Sequence, residues 1–303
     1  STEQIIQLSH GAILCSGSIM TPYLLMHSGI GDKEHLKKFD KEIIIDNFNV
    51  GRNLQDHLGL DYLFKTHHHS LNKSLGTWPG RITSVLKYIY NRKGPLSLSI
   101  NQSGGYVNWN SKHHYPNLQI YFNPLTYSIT HKNKRPLLKT DKFNGFIIGY
   151  NSCRPKSLGR VALNSPNFED APLIDPNFLS HEEDIYDVKC AINFSKVLAN
   201  TNNIKKIRNE SVTHDLLNAT EEEMIDHFKS NAVSIYHPCG TCKMDEDPKK
   251  GVVSERLKVH GMENLWIADA SVFPNITSGN INAPVMMLAN LGSKFIIEDL
   301  NKI

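Results

Sequence analysis

Apolar residues along this chain come in short bursts, and the residues between the bursts decide what each becomes. Leu265 to Ala268 is an apolar run of buried-strand length that stops at Asp269. Turn-forming residues follow, among them Ser271, Pro274, Asn275, Ser278, Gly279 and Asn280. Pro284 then opens a second apolar segment, Val285 to Leu291, and proline suits a first helical position because it has no N–H to lose. The pattern predicts strand, polar loop, helix. Gly11 to Cys15 predicts a second short strand, turned by Ser16, Gly17 and Ser18 into a helix entered at Thr21 and Pro22 and stopped by Ser28-Gly29. Lys33 to Phe39 reads as a short charged helix and Glu42 to Asp46 as a strand.

The middle of the chain is harder to read. Arg81 to Tyr90 has helical spacing through Ile82, Val85, Leu86 and Ile89, with Gly94-Pro95 behind it. Leu118 to Phe122 and Phe146 to Tyr150 predict strands, and Val107 with Trp109 fits a third. Ser157 to Leu163 predicts turn then strand, leading into a proline-punctuated loop from Asn164 to Leu179. A long helix is expected over Glu182 to Leu198, with Ile185, Val188, Ile192, Phe194 and Val197 as its apolar face and acids at its start. Thr220 followed by Glu223 is a capping box that opens a helix reaching about Ser230.

Length and composition narrow the class. The chain has 303 residues, 40% of them hydrophobic, and a net charge of +3, enough for one large core or two smaller ones. Its basic residues are scattered, which argues against a nucleic-acid partner. No apolar stretch reaches transmembrane length. Five scattered cysteines make no disulfide framework in a chain this long. The N-terminus lacks Met and any signal-peptide pattern, so the chain is expected to start inside a domain, with its compartment undetermined. Sequons at Asn72, Asn101, Asn193, Asn209 and Asn218 would suit secretion.

Chemistry concentrates in a few places. A helix start near Pro284, reached through a polar loop, gathers unpaired N–H groups and a positive dipole end, so an anionic group is expected there. Ser234 to Met244 reads S-I-Y-H-P-C-G-T-C-K-M. Its C-x-x-C could be a redox dithiol or half a zinc site, but no second such pair exists and no thioredoxin-like strand–helix surrounds it. His237, beside a proline, is by type a packed or capping residue unless context says otherwise. Asp56 and His57, in V-G-R-N-L-Q-D-H, could pass for an acid–base pair; neighbours on a strand point to opposite faces, which favours a structural role. His67, His68 and His69 cannot easily converge on one ion and read as a solvated loop, so no metal is expected.

Three strings together resemble one family. They are G-S-I-M-T-P-Y-L-L-M-H-S-G-I-G (Gly17 to Gly31), the His-Pro-x-Gly-Thr at His237, and W-I-A-D-A-S-V-F-P-N-I-T-S-G-N-I-N-A-P-V-M-M (Trp266 to Met287). They are similar to the signatures of the glucose–methanol–choline (GMC) oxidoreductases, including the glucose dehydrogenase-like and choline dehydrogenase-like members. The resemblance implies α/β plus α+β architecture: an incomplete FAD/NAD(P)-binding Rossmann-like domain with an antiparallel-sheet substrate domain. Residues 1–60 and 231–303 would belong to the FAD domain and 61–230 to the substrate domain. It implies FAD as cofactor, with Ser16, Tyr236, Asp269, Ala270, Asn282, Ala283 and Pro284 against it. It implies catalysis by His237 and Asn280, in which the imidazole takes the hydroxyl proton, Asn280 holds the substrate oxygen, and flavin N5 accepts the hydride. The partners implied are a small alcohol or sugar and an electron acceptor, oxygen or a quinone. The G-x-G-x-x-G that cradles the FAD pyrophosphate does not occur, so the chain is expected to be the C-terminal half of such an enzyme, with its activity alone in question. A flavin-containing hydroxynitrile lyase and a catalytically silent remnant or binding protein are the alternatives.

Overall fold

The computed structural model describes residues 5–110, 114–132, 135–213 and 215–301. In chain order its elements are β1 (Ala12–Leu14), α1 (Gly17–His27), β2 (Ile30–Gly31), α2 (Lys33–Lys37), β3 (Ile45–Asp46), β4 (Arg52–Leu54), β5 (Leu58–Lys65), α3 (Leu71–Gly76), α4 (Trp78–Asn91), β6 (Ser103–Val107), β7 (Leu118–Asn123), β8 (Tyr127–Lys132), β9 (Arg135–Thr140), β10 (Gly145–Ser152), β11 (Gly159–Ala162), β12 (Leu173–Asp175), α5 (Glu182–Ala199), α6 (Asn202–Ile207), α7 (Glu221–Asn231), β13 (Val233–Ser234), β14 (Leu265–Ile267) and α8 (Asn282–Leu300). They fall into two compact units. One comprises Ser1–His57, Arg154–Asp184 and Ser234–Ile303; the other comprises Leu58–Cys153 and Ile185–Val233. The class is α/β plus α+β, with parallel strand pairs in the first unit and antiparallel sheet in the second.

In the first unit, β1 and β14 pair in parallel, Ile13 opposite Trp266. Beneath them Tyr23, Leu25, Ile267, Val272, Cys239 and Cys242 are part of one buried apolar cluster. Helix α1 begins at Gly17, four residues before the expected entry at Thr21. The reason lies 252 positions away. Asp269, just past β14, accepts the Gly17 N–H at 2.9 Å and the Thr21 hydroxyl at 2.6 Å, satisfying a first-turn donor that no local residue caps. Pro22 therefore stands inside the helix and withdraws the N–H that the Ser18 carbonyl would have received. The buried Thr241 hydroxyl donates to that carbonyl instead, at 2.6 Å. The helix ends where expected, with Gly29 in the left-handed region at φ +82°.

Other boundaries in this unit also moved. The expected strand Glu42 to Asp46 contracts to β3, paired in parallel with β2. Part of the expected Asn164 to Leu179 loop forms β12, which pairs with β11, and β11 pairs in turn with β4. Helix α8 starts at Asn282 and runs to Leu300. Pro284 is thus its third residue, not its first, which costs nothing because first-turn N–H groups have no intrahelical partner.

In the second unit, β5, β10, β7 and β6 lie side by side in that order, antiparallel. Strand β5 was not anticipated; Leu60, Tyr62 and Phe64 do alternate with Asp61 and Lys65, but Gly59 and Leu63 blur the period. One sheet face is apolar and buried, with Tyr150 stacked on Phe228 of α7 at 5.8 Å between centroids. On the other face the Tyr121 hydroxyl donates to Asp61 at 2.7 Å, reaching across Gly149 of the intervening strand. A β-carbon at 149 would run into both partners, so this glycine is what lets β5 and β7 bond over β10. Strand β6 stops at Val107, leaving Trp109 outside. Strands β8 and β9 form a hairpin absent from the expectations. Helix α7 carries the expected capping box, complete in both directions. Helix α4 ends on Arg92, left-handed at φ 53°, rather than at Gly94, and its apolar stripe of Ile82, Val85, Leu86 and Ile89 is exposed. On α5, Val188 and Ile192 are buried but Val197 is half exposed, not part of the apolar face. Asn72, read as a possible glycan acceptor, is buried, with its amide nitrogen donating to the Thr126 carbonyl at 2.8 Å. That leaves no room for a sugar. His67, His68 and His69 lie in the loop after β5.

Candidate functional site

The site is built where two extended segments run side by side. Gln55 and Cys239 exchange backbone hydrogen bonds of 3.0 and 2.9 Å, and Ile235 N–H donates to the His57 carbonyl at 3.0 Å. Gly240 turns the second segment at φ +87°, and a β-carbon there would lie 2.6 Å from the Asn53 carbonyl oxygen, so only glycine lets the two backbones come this close.

This pairing aims two residues at His237, and the loop after β14 adds a third. Asp56 accepts the His237 backbone N–H at 2.9 Å and also the Ser234 hydroxyl. His57, fully buried, places its Nδ1 2.9 Å from His237 Nδ1, the rings meeting edge to face at 84°. Asn280 brings its amide nitrogen to 3.2 Å from His237 Nε2. Asp56 and His57 do diverge as strand neighbours should, yet each reaches residue 237, one at its backbone and one at its ring. Sequence reasoning gave His57 no contact with the site. Its signal was present only as the string N-L-Q-D-H; nothing in the string names the ring it meets.

The loop that carries Asn280 is braced from the same segment. Gln55 accepts the Ile276 N–H at 3.2 Å, and Asn53 donates to the Pro274 carbonyl at 3.3 Å. Arg154 donates to the Ser278 hydroxyl at 2.8 Å. Residue 280 itself is exposed while His237 is buried. The imidazole therefore has an exposed residue on its Nε2 side.

Hydrogen bonding orders the protons. An amide nitrogen facing His237 Nε2 requires a lone pair there, which places the His237 proton on Nδ1. That N–H donates to His57 Nδ1, and His57 then carries its own proton on Nε2. Burial holds the His237 imidazole below its usual value, against the opposing pull of Asp56. Burial pushes the Asp56 carboxyl up, and its hydrogen bonds from Ser234, His237 and His57 partly offset this. Burial thus favours the uncharged imidazole, with the Nε2 lone pair turned toward the Asn280 amide.

The remaining candidates divide. Tyr236 is 78% exposed, with φ 65°. Ser16 is exposed at the start of α1, its N–H donating to the Thr21 hydroxyl at 3.1 Å. Asn282 and Ala283 are exposed at the start of α8, whose cap, Ile281, contributes no side-chain bond. First-turn N–H groups have no intrahelical partner, so this exposed helix start suits the electron-rich edge of a flavin. Asp269 is engaged with α1 and with the Ser271 N–H at 2.8 Å, and the Ala270 carbonyl accepts the Gly240 N–H at 3.1 Å. These two hold the strand end to α1 and to the His237 segment. Cys239 and Cys242 are buried thiols; burial pushes Cys239 up to about 12 and Cys242 higher. Neither is a nucleophile in that environment.

Comparison with known proteins gives a consistent picture. The GMC oxidoreductase family matches at residues 1–59 and 155–289. An alcohol dehydrogenase [acceptor] of Pseudomonas putida is 33% identical over 99% of this chain and 53% of its own length. An oxygen-dependent choline dehydrogenase of Cronobacter sakazakii is 31% identical over 95% of this chain and 50% of its own. Among solved structures, a formate oxidase of Aspergillus oryzae, studied for its FAD modification, superposes with a TM-score of 0.87 at 25% identity, covering 96% of this chain and 55% of that one. A pyridoxine 4-oxidase from Mesorbium loti gives 0.75 at 26% identity, covering 95% and 51%. The chain spans about half the length of the curated relatives it matches.

Proposed function

Because this chain belongs to the GMC oxidoreductase family, an FAD-dependent family, we propose that it carries the catalytic histidine and asparagine of an enzyme oxidising the CH–OH group of a small alcohol or sugar. The observation that carries this reading is the 3.2 Å approach of the Asn280 amide to His237 Nε2 beside a 2.9 Å bond that fixes His237 Nδ1. A hydroxyl entering from the open side meets both groups at once. Asn280 donates to the substrate oxygen, and His237 Nε2 takes its proton. The imidazolium so formed keeps its Nδ1–H on His57 and has the Asp56 carboxylate nearby. Asn280 holds the oxygen while the carbon loses hydride, so orientation supplies part of the rate.

The first-turn N–H groups of Asn282 and Ala283 would hold the flavin's pyrimidine edge, with Pro284 locking the turn and Tyr236 and Ser16 exposed to contact the ring and chain. When bound, FAD supplies the hydride acceptor. The sequence contains no G-x-G-x-x-G to seat the FAD pyrophosphate. The electron acceptor, oxygen or a quinone, is part of the same proposal.

The test is anaerobic mixing of the FAD-loaded protein with a panel of alcohols, choline and sugars, following loss of the flavin's visible band. Reduction by an alcohol is expected, and His237→Ala should slow it on the order of 100-fold or more, the scale for losing a positioned base. Loaded His237→Ala protein reduced at the unsubstituted rate would overturn the assignment.

A further inference from the structure

A second site stands in the first unit, apart from the His237 cluster. A cavity of about 400 Å³ is lined by the cationic side chains of β4, β11 and Lys38 just past α2, by His35, by the carboxylates of Asp32 and Glu34, the latter paired with Lys37 at 3.1 Å, and by an apolar wall that includes Phe39 and Val161. Its cations are Arg52, Arg160 and Lys38. Arg52 and Arg160 are direct partners in the β4–β11 ladder. Like charges facing across antiparallel strands destabilise the pair unless something anionic lies between them.

The chain's own acids do not fill that role. Asp32 Oδ2 forms only a long ion pair with Arg52, at 3.9 Å, while its Oδ1 accepts the Glu34 N–H. Asp175 Oδ2 likewise forms only a long ion pair with Arg160, at 3.7 Å, while its Oδ1 accepts the Asn177 N–H. Both distances are longer than a hydrogen bond. Among the described residues, neither guanidinium makes a hydrogen bond, although each presents five donors. Arg52 also lies over the Phe48 ring at 4.2 Å, which fixes its plane. His35 is spoken for: its Nε2 accepts the Leu163 N–H at 3.1 Å. Burial holds its imidazole low, and Lys38, Arg160 and Arg52 all push the same way against Asp32. The cations therefore share one local field.

We propose that this cavity binds a small organic oxyanion, a phosphate or carboxylate head bridging Arg52 and Arg160, with a short apolar body against Phe39 and Val161. Paired guanidinium forks match the oxygens of such a head, and the Phe48 ring against Arg52 orients one of them. The apolar wall gives the body a reason to stay.

Calorimetric titration of the protein with hexyl phosphate, with inorganic phosphate as the second arm, tests this. Hexyl phosphate should bind, inorganic phosphate about tenfold or more weaker, and Arg160→Gln and Arg52→Gln should each weaken hexyl phosphate about tenfold. His35 ring signals followed by NMR in the unsubstituted protein should move on addition of hexyl phosphate, which serves as the readout should a substitution unfold the chain. Equal affinity for both ligands would overturn the organic class. Absence of heat with motionless His35 signals, or folded variants that bind normally, would overturn the site.

Discussion

A single hydrogen lies between Nδ1 of His57 and Nδ1 of His237, 2.9 Å apart and shielded from solvent. Each ring's tautomer therefore dictates the other's. Only with that hydrogen on His237 does His237 Nε2 keep the lone pair that a base requires. His57 reaches no solvent, so its influence on a reaction at His237 runs through that ring. It is a positioning residue.

Removing the acceptor should therefore cost rate more than binding. His57→Ala is expected to lower flavin reduction on the order of 100-fold, the scale for a displaced catalytic group, with KM little changed. His57→Gln, whose side-chain carbonyl can still accept, should retain more. A normal rate and pH profile in folded His57→Ala would reduce His57 to packing.

The depressed His237 imidazole also makes a pH prediction. The rising limb of kcat/KM against pH should inflect below the usual histidine value of about 6.5. Stability follows the same group. Unfolded His237 binds its proton near the usual value while the folded side chain resists, so in that window the unfolded chain carries more protons and stability falls as pH drops. Urea melts across the window should show this slope, and His237→Gln should flatten it. Asp56, pushed up, acts in the opposite sense from the ordinary carboxylate value upward. An unchanged slope in His237→Gln would show that other groups set it.

Thr241 replaces a hydrogen bond that Pro22 removes. Thr241→Val would leave the buried Ser18 carbonyl without its donor, at a cost of about 1–3 kcal/mol. Chemical denaturation measures the loss. Pairing it with Pro22→Ala, which returns an N–H to the helix, should recover part of it; no recovery would mean that Thr241 acts elsewhere.

Gly149 is required by its neighbours' side chains rather than by its own backbone. Gly149→Ala would force Tyr121 and Asp61 apart, an overpacking cost of about 1–3 kcal/mol. Tyr121→Phe should remove only the hydrogen bond and cost less. A stability ranking in the reverse order would contradict the close-approach account.

The chain's local patterns were enough for much of the scaffold. The apolar runs at residues 12–14 and 265–267, the glycine stop at Gly29 and the Thr220–Glu223 box all formed where expected, because an apolar run, a glycine or a capping box marks its element by the residues themselves, even where, as for the two strands, the pairing partner is distant. The three signature strings were enough for the family. What sequence could not supply was anything closed by distant residues. The start of α1 is set by Asp269, Pro22 is tolerated because of Thr241, and β5 finds its face only against β10. The candidate site has the same character. His237 and Asn280 could be picked out by type and context, but their 3.2 Å approach, and the buried ring of His57 behind them, exist only because residues 53–57 run beside 235–240. Side-chain spacing along a chain encodes periodicity; which imidazole meets which is settled by strand pairing, and that takes the folded backbone.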